Sequence, residues 1–198
     1  MYNVGVLALQ GDFEKHQNTL LKLGHTPLPV RTREQLEQCD GLVIPGGEST
    51  TLLKLMKKHN MWDVVIEFAQ TRPVYGTCAG CILVANSIVG MQQESLKLID
   101  IAVQRNAYGR QVDSFIDDIR LQFNGKVDTV EGVFIRAPKI TSMGPEVTPL
   151  AWHHQDVVLA EQGHILVGTF HPELTDDLSI HEYFIQKIKA VQEDHVTS

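Results

Sequence analysis

The chain has 198 residues, of which 43% are hydrophobic and 21% charged, and its formal net charge at pH 7 is -7. This profile is typical of a soluble globular protein, and we predict a single domain over residues 1–198. Because no block of Lys and Arg interrupts the acidity, we expect no nucleic-acid or anionic-membrane surface. Three cysteines do not make a disulfide framework, and no signal peptide or membrane span is recognisable, so the expected compartment is the cytoplasm.

The N-terminal half alternates short apolar runs with helical patterns. The predicted strands are "NVGVLAL", "DGLVIPGG" and "RPVYGTC". The predicted helices are "DFEKHQNTLLKLG", "STTLLKLMKKHN" with Ser49 as its N-cap, "MWDVVIEFAQ" and "AGCILVANS". This alternation predicts an α/β fold with a mainly parallel open sheet and helices on both faces.

From about Val112 the pattern changes to short strands, which predicts an antiparallel extension in the C-terminal half. These strands are "IRLQF", "VEGVFIRAP", "PLAW" and a hairpin "DVVLAEQGHILVGTF" that turns at Gln162-Gly163, and a terminal helix "LSIHEYFIQKIKAVQ" follows. In open parallel sheets the functional crevice lies at the carboxyl ends of the strands. The segments "PGG", "YGTC" and "TFHPE" all lie at such ends, so we expect them to converge.

The stretch Gly76-x-Cys78-x-Gly80 ends one predicted strand and begins a helix. Such a turn presents a nucleophile in a strained conformation, and glycines on either side remove Cβ atoms that would collide with the packed strand and helix. Cys78 then lies at a helix N-terminus, which favours the thiolate, and the amide of Ala79 is placed to donate to an oxyanion. On this pattern alone, a buried structural cysteine is about as plausible as a catalytic one.

A second motif, "TFHPEL", places His171 and Glu173 two residues apart. In extended chain, side chains at i and i+2 point to the same side, and Pro172 pushes His171 out of the helical region. Glu173 can therefore orient His171 and leave the other ring nitrogen for a thiol. A third motif, "PGGES", offers the backbone amide of Gly46 or Gly47 as a second oxyanion donor and Glu48 as a carboxylate for an ammonium group.

With these motifs in place, the chain resembles the class I (triad-type) glutamine amidotransferases and, more narrowly, the glutaminase subunits of pyridoxal 5′-phosphate synthase. The segments that resemble the family are "LALQGDFEKH" (Leu7–His16), "PGGEST" (Pro45–Thr50), "GTCAG" (Gly76–Gly80), "RNAYGRQ" (Arg105–Gln111), "EGVFIRAP" (Glu131–Pro138) and "TFHPELT" (Thr169–Thr175). The resemblance implies a flavodoxin-like fold and hydrolysis of L-glutamine to L-glutamate and ammonia.

The resemblance also implies roles for particular residues. Cys78 is expected to be the nucleophile, His171 its base, Glu173 the orienting carboxylate, and the amides of Gly47 and Ala79 the oxyanion donors. The residues expected to line the glutamine site are Gly47, Glu48, Ser49, Arg105, Ile135 and Arg136. An ammonium suits Glu48, and an arginine binds a carboxylate in a fork.

The family's partner is a synthase subunit, a (β/α)₈ barrel that takes up the ammonia. The resemblance places Gln10 near that interface, where we expect it to take part in coupling the two subunits. Pyridoxal 5′-phosphate is then the product of the complex, so no cofactor is expected on this chain.

Several alternatives remain open at this level. Cys78-x-x-Cys81 is the spacing of a redox dithiol or of an inactivating disulfide, although Cys81 is more simply read as a small buried residue. A hydrolase of another amide or ester would use the same triad, and a non-catalytic subunit would keep only the fold. No metal site is predicted, because the adjacent His153 and His154 would face opposite sides of a strand and Asp113, Asp117 and Asp118 read as a solvated face.

Overall fold

The fold is known from a computed structural model, which describes residues 1–108 and 113–196. Residues 109–112 contain Val112 and the end of the segment "RNAYGRQ", and these lie outside the described residues. The strands are β1 (Asn3–Leu7), β2 (Thr26–Val30), β3 (Gly41–Ile44), β4 (Val74–Thr77), β5 (Ala85–Val89), β6 (Ile99–Gln104), β7 (Ser114–Phe123), β8 (Lys126–Ile135), β9 (Lys139–Met143), β10 (Thr148–His153), β11 (Asp156–Gln162) and β12 (Ile165–Gly168). The helices are α1 (Phe13–Lys22), α2 (Arg33–Glu37), α3 (Ser49–Lys58), α4 (Trp62–Phe68), α5 (Ala79–Val84) and α6 (Ser179–Val196), and a short 3₁₀ helix spans Pro172–Leu174.

In the part of the chain that the structure describes, nine strands form one sheet in the order β2-β1-β3-β4-β12-β11-β10-β7-β8. The four pairings from β2 to β12 are parallel and follow the strand order of flavodoxin-like folds. The four pairings from β12 to β8 are antiparallel. The expected antiparallel extension is confirmed, and it supplies as many pairings of this sheet as the parallel part does.

Helices cover both faces of the parallel part, as predicted. On β3, Leu42 and Ile44 pack with Leu52 of α3, whereas Val43 packs with Leu20 of α1. This alternation is the two-residue period of a strand that is buried on both sides. Helices α2, α3, α4 and α5 contribute to the first cluster and α1 and α6 to the second. Both clusters include a residue of β4, Val74 in the first and Tyr75 in the second, so this strand is packed on both faces.

The edge strand β2 was not predicted. Its sequence, "TPLPV", contains Pro27 and Pro29, which cannot donate ladder hydrogen bonds and normally count against a strand. The strand forms nevertheless because it lies at the edge of the sheet and pairs only with β1, in parallel register from Asn3↔Thr26 to Leu7↔Val30. A proline is tolerated on an edge strand where its missing N–H faces away from the neighbour.

A second, three-stranded sheet was also not predicted, and it has the order β5-β6-β9. Strand β5 continues directly from α5, so the predicted helix "AGCILVANS" ends at Val84 and its last residues are extended. Within residues 1–108 and 113–196, no helix combines the length and the apolar character that crossing a bilayer requires.

Candidate active site

The turn between β4 and α5 holds Cys78 in a strained backbone conformation. Cys78 has φ 50° and ψ -105°, a region that residues with a Cβ rarely occupy. A methyl group added to Gly80 would lie 2.1 Å from the carbonyl oxygen of Ile44, and one added to Gly76 would lie 2.7 Å from that of Gly80. The backbone N–H of Cys78 donates to Gly168 of β12 at 2.9 Å. The two glycines therefore make room for the sharp turn, as their spacing predicted.

His171 and Glu173 form a buried hydrogen-bonded pair at the end of β12. The His171 Nδ1 lies 2.7 Å from Glu173 Oε1, and both residues are 5% exposed. Our expectation of extended chain at this point was wrong, because Glu173 lies in the 3₁₀ helix that Pro172 begins. Proline at the first helical position supplies a suitable φ and lacks an N–H that would be left unbonded there. The tight turn still brings the carboxylate to the imidazole, so the predicted pairing forms.

The other ring nitrogen of His171 is left on the side of Cys78. A methyl group added to Gly46 would lie 2.6 Å from His171 Cε1 and 3.4 Å from Cys78 Cβ, so both side chains border the same small space. His171 Nε2 is buried and has no hydrogen-bond partner among the described residues. The Cys78 Sγ lies 3.8 Å from the carbonyl oxygen of Ile135. The sulfur, the imidazole and the carboxylate thus meet at one edge of the sheet.

The electrostatics of this group favour an ion pair. Burial by itself lowers the pKa of His171, but its contacts with Cys78 and Glu173 outweigh burial and raise the pKa to about 10. Burial by itself raises the pKa of Glu173, but the neighbouring His16 and the hydrogen bond with His171 lower it to about 2. At neutral pH these shifts favour a cationic imidazole beside Cys78, with the anionic carboxylate of Glu173 behind it.

The Gly46-Gly47 turn lies against the segment that contains Gln10. The side-chain oxygen Oε1 of Gln10 accepts from the backbone N–H of Glu48 at 3.3 Å. Gly47 has φ 138°, which L side chains rarely adopt, and a methyl group on Gly11 would lie 1.8 Å from the carbonyl oxygen of Gly46. The two segments are in direct backbone contact, which places Gln10 next to an expected oxyanion donor.

Our prediction of Ser49 as the N-cap of α3 was wrong. Glu48 takes this position, and its carboxylate accepts from the backbone N–H groups of Thr50 and Thr51 and from both threonine hydroxyl groups. Glu48 takes the N-cap position because its side chain is longer and charged, which suits the unpaired N–H groups at the start of a helix. Burial alone raises the pKa of Glu48, but these hydrogen bonds lower it to about 2.

Glu48 also pairs with Arg105. The guanidinium Nη2 lies 3.1 Å from Glu48 Oε1, and the arginine side chain is 20% exposed. The two charges expected to bind the opposite ends of glutamine therefore neutralise each other in this structure. A substrate that enters must share or replace this contact. The net contribution of the Glu48–Arg105 pair to substrate binding is therefore smaller than that of two independent charges.

The residues predicted from the motifs converge on one cavity of about 190 Å³. Its lining comprises Gly47, Glu48, Ser49, Cys78, Arg105, Ile135, Arg136 and His171, together with Asp12, Ile82 and Asn106. The last three were missed. Asp12 and Asn106 lie within the segments "LALQGDFEKH" and "RNAYGRQ", and that membership was the only signal for them, whereas Ile82 reads simply as a core residue.

The second cysteine of the C-x-x-C spacing is fully buried. Cys81 is 0% exposed, and burial, followed by the nearby Cys78, raises the pKa of its thiol above the ordinary value. All three cysteines are free thiols. A thiol in this setting is inert, so the structure favours a packing role for Cys81.

Replacing Cys81 with serine is expected to leave glutaminase activity within about threefold of wild type while lowering the free energy of unfolding by about 1–3 kcal/mol, because a buried hydroxyl replaces a sulfur. Steady-state kinetics and urea unfolding measure the two effects. Complete loss of activity in a folded protein would show that the wrong thiol had been chosen as nucleophile. Mass spectrometry of oxidant-treated protein tests the alternative of a Cys78–Cys81 disulfide.

Our expectation that His153 and His154 face opposite sides was wrong. His154 has φ 53° at a turn after β10, so both rings lie on one side, with centroids 4.3 Å apart. Asp117 Oδ2 lies 2.9 Å from His153 Nε2 and 3.6 Å from His154 Nε2, and the hydrogen bond with His153 lowers the pKa of Asp117. The three side-chain atoms that could bind a metal ion lie within 4.8 Å of one another. Because atoms at this spacing could share an ion, the expected absence of a metal site stays a prediction.

The similarity of this chain to known proteins agrees with the geometry. The sequence profile of the SNO glutamine amidotransferase family matches residues 6–190. The chain belongs to this family. Relatives named "Pyridoxal 5'-phosphate synthase subunit PdxT" include one from Solibacter usitatus, which is 51% identical, with 95% of this chain and 100% of the relative covered. Another, from Thermotoga maritima, is 47% identical, with 94% and 99% covered.

Solved structures of other proteins show the same fold. A crystal structure of a glutamine amidotransferase is 43% identical, covers 94% of this chain and 98% of its own, and superposes with a TM-score of 0.88. A GMP synthase subunit from Thermoplasma acidophilum, only 17% identical, still superposes with a TM-score of 0.72 over 98% of both chains. The predicted α/β fold class is confirmed by these neighbours.

Proposed function

We propose that this chain hydrolyses L-glutamine to L-glutamate and ammonia and supplies the ammonia to a pyridoxal 5′-phosphate synthase. The observation that supports this most directly is the meeting of Cys78 and His171 at one cavity, with Glu173 hydrogen-bonded to His171, although 93 residues of sequence separate the thiol from the imidazole. The family that the chain belongs to, and the name of its relatives, point to the same reaction.

The reaction follows from the chemistry of the three side chains. The proton of the Cys78 thiol passes to His171 as the sulfur attacks the side-chain carboxamide carbon of glutamine, and the carbonyl electrons move onto oxygen. His171 gives a proton to the departing nitrogen, the C–N bond breaks, and ammonia leaves a γ-glutamyl thioester. His171 then takes a proton from water as the water attacks the thioester; the C–S bond breaks, and the same proton passes from His171 to the sulfur, which releases glutamate and returns the thiol. Glu173 holds the imidazole through Nδ1, so Nε2 faces the reacting atoms.

Two backbone amides serve the oxyanion in this proposal, those of Gly47 and Ala79. Ala79 is the first residue of α5, so its N–H has no partner within the helix. Gly47 lies in the turn opposite, within the same cavity. Such preorganised donors lower the barrier by stabilising charge that exists only in the transition state.

We place the substrate between the Glu48–Arg105 pair and the segment Ile135–Arg136. Arg136 is exposed and lines the cavity, with a positive φ of 43° and a backbone N–H that donates to Asp113 at 2.5 Å. A guanidinium that has no ion-pair partner among residues 1–108 and 113–196 suits the α-carboxylate of glutamine. The carboxylates of Glu48 and Asp12 suit its α-ammonium group.

The partner in this proposal is the synthase subunit of the relatives' enzyme, a (β/α)₈ barrel that receives the ammonia. Gln10 contacts the Gly47–Glu48 turn, which makes it suited to link docking with the oxyanion site. The triad needs no cofactor for acyl transfer, so pyridoxal 5′-phosphate is assigned as the product of the complex. A soluble subunit with free thiols suits the cytoplasm.

A glutaminase assay with and without the synthase subunit tests the proposal. We expect ammonia and glutamate in equal amounts from L-glutamine, and a higher rate in the complex. L-asparagine and γ-glutamyl esters serve as matched controls. Faster hydrolysis of either control than of glutamine would indicate a different hydrolase, and no turnover in the complex would indicate a non-catalytic subunit.

A further inference from the structure

A pair of buried histidines lies directly behind the catalytic group, and no step of the proposed reaction uses them. His16 of α1 and His181 of α6 are each 0% exposed, and the His16 Nδ1 lies 2.8 Å from the His181 Nε2. On its other side the His16 Nε2 lies 3.5 Å from Glu173 Oε2 and 3.3 Å from Thr77 Oγ1. A continuous row of polar side chains therefore runs from His181 of α6 through His16 of α1 to the carboxylate of Glu173.

The positions of the protons in this row of side chains depend on the group at its end, Glu173. The His16 Nε2 lies near both the Thr77 hydroxyl, which can donate or accept, and Glu173 Oε2, which is ionised and can only accept, so a proton on Nε2 is the tautomer that suits the carboxylate. Burial is the main cause that lowers the pKa of His16, so the ring is neutral and its Nδ1 is an acceptor. His181 Nε2 then donates to it. Burial also lowers the pKa of His181, to about 3, which keeps that ring neutral too.

Glu173 has few other partners for its second oxygen. Oε1 accepts from His171, whereas Oε2 is buried and has no hydrogen-bond partner among the described residues; the His16 Nε2, 3.5 Å away, lies within ion-pair distance of it. A buried carboxylate oxygen without a donor loses solvation that no other group replaces. The contact with Cys78 and then the hydrogen bond with and charge of Glu173 raise the pKa of His171. A group that stabilises the charge on Glu173 therefore acts on the nucleophile indirectly, through Glu173 and His171.

We propose that His16, oriented by His181, is a positioning residue that holds the second oxygen of Glu173 and so keeps the carboxylate ionised and turned toward His171. This inference rests on the triad of the proposed function but not on the identity of the substrate. The simpler interpretation is a pair of core histidines that only fill space. The two interpretations differ in what they require of His16: a positioning role requires its N–H group, whereas space filling requires only its volume.

Other titratable groups around the pair do not replace this N–H. Asp12, at the start of α1, and His171 act on His16 only through their charge. The ring of Tyr75 lies edge-on to His181 at 6.1 Å, and its hydroxyl has no hydrogen-bond partner among the described residues. Among the described residues, none of these groups donates a hydrogen bond to the second oxygen, Oε2, of Glu173.

The test compares His16→Leu, which removes the N–H, with His16→Gln, which places an amide N–H at a similar reach. The first readout is the rate of Cys78 alkylation by iodoacetamide as a function of pH, with the labelled peptide identified by mass spectrometry. In His16→Leu we expect the acidic limb of this profile to move up by about one pH unit, equivalent to about tenfold slower alkylation on that limb. His16→Gln is expected to keep the wild-type profile.

The second readout is glutaminase activity in the complex. In His16→Leu we expect kcat to fall by about tenfold with KM within about twofold of wild type, because the change acts on the triad and not on substrate contacts. Should His16→Leu fail to fold, as judged by circular dichroism, His181→Leu provides the same comparison through the orienting ring. Equal profiles in wild type and His16→Leu, or equal impairment in His16→Leu and His16→Gln, would overturn the inference. Alkylation needs no glutamine, so failure of wild type to hydrolyse glutamine counts against the proposed function alone.

Discussion

Replacing Cys78 with alanine is expected to abolish glutamine hydrolysis, with a loss of at least about 10⁴-fold in kcat. The sulfur is the atom that forms the thioester, and in the described residues around the cavity no second thiol can take its place, since Cys81 is fully buried. Alanine keeps the Cβ and therefore the backbone geometry at φ 50°. Ammonia release in the assembled complex measures the loss, and size-exclusion chromatography with the synthase subunit is expected to show unchanged assembly.

Cys39→Ala is a matched control for this change. Cys39 is also buried, at 2% exposed, but it lies between α2 and β3 and its Sγ contacts the carbonyl oxygen of Gln35. We expect this variant to lose some stability and to keep its glutaminase activity. Activity in Cys78→Ala within about tenfold of wild type would refute the assignment of the nucleophile.

The second large effect is expected for His171→Asn, which removes the group that transfers the proton. Thioester formation is expected to slow by at least about 10³-fold, since a general base typically contributes 10²–10⁴-fold and the thiolate also loses its cationic neighbour. Rapid acid quench followed by mass spectrometry of the Cys78 peptide detects the γ-glutamyl adduct. Glu173→Gln is expected to slow this step less, because the amide still positions the ring while its charge is lost.

His164→Asn is the control variant, because it removes an imidazole that lies away from the cavity. The His164 Nε2 lies 2.7 Å from the carbonyl oxygen of Ala69, away from the cavity, so we expect wild-type thioester formation in this variant. An adduct that accumulates normally in His171→Asn would remove His171 from the mechanism.

The raised pKa of His171 also predicts how stability depends on pH. A group whose pKa is higher in the folded than in the unfolded state stabilises the fold fully below its unfolded value, 6.5, and loses this contribution as pH rises through its folded value, about 10. The difference in free energy of unfolding between wild type and His171→Asn is therefore expected to shrink between about pH 6.5 and 10. Urea unfolding at a series of pH values measures it, and a constant difference would contradict the ion pair.

Much of the site could be predicted from short motifs, because their requirements are local. Gly76 and Gly80 are needed within a few residues of Cys78, whatever else surrounds the turn, since any Cβ there would meet backbone. The buried strands β1, β3 and β4 were likewise visible as short apolar runs. Their burial on both faces leaves no alternation to interpret, so length and flanking glycines identified them.

Predictions that depended on the neighbours of a residue were less successful. Strand β2 forms in spite of two prolines because only one of its edges is paired. Glu48 displaces Ser49 as the helix cap because Thr50, Thr51 and Arg105 all lie within reach of its carboxylate. Neither outcome can be predicted from the intrinsic helix or strand propensity of a residue, because a propensity averages over many different structural surroundings.

The amino-acid sequence alone determined the reactive groups and the strand ends from which they project: a thiol in a glycine turn, an imidazole and carboxylate beside a proline, and a glycine pair after a buried strand. Only the tertiary structure decided which groups touch. The contact of His16 with His181 spans 165 residues, and it exists because α1 and α6 pack on the same face of the sheet. Local patterns record what each segment can form by itself, whereas such contacts arise from the way helices and strands pack together, and no short stretch of residues contains that information.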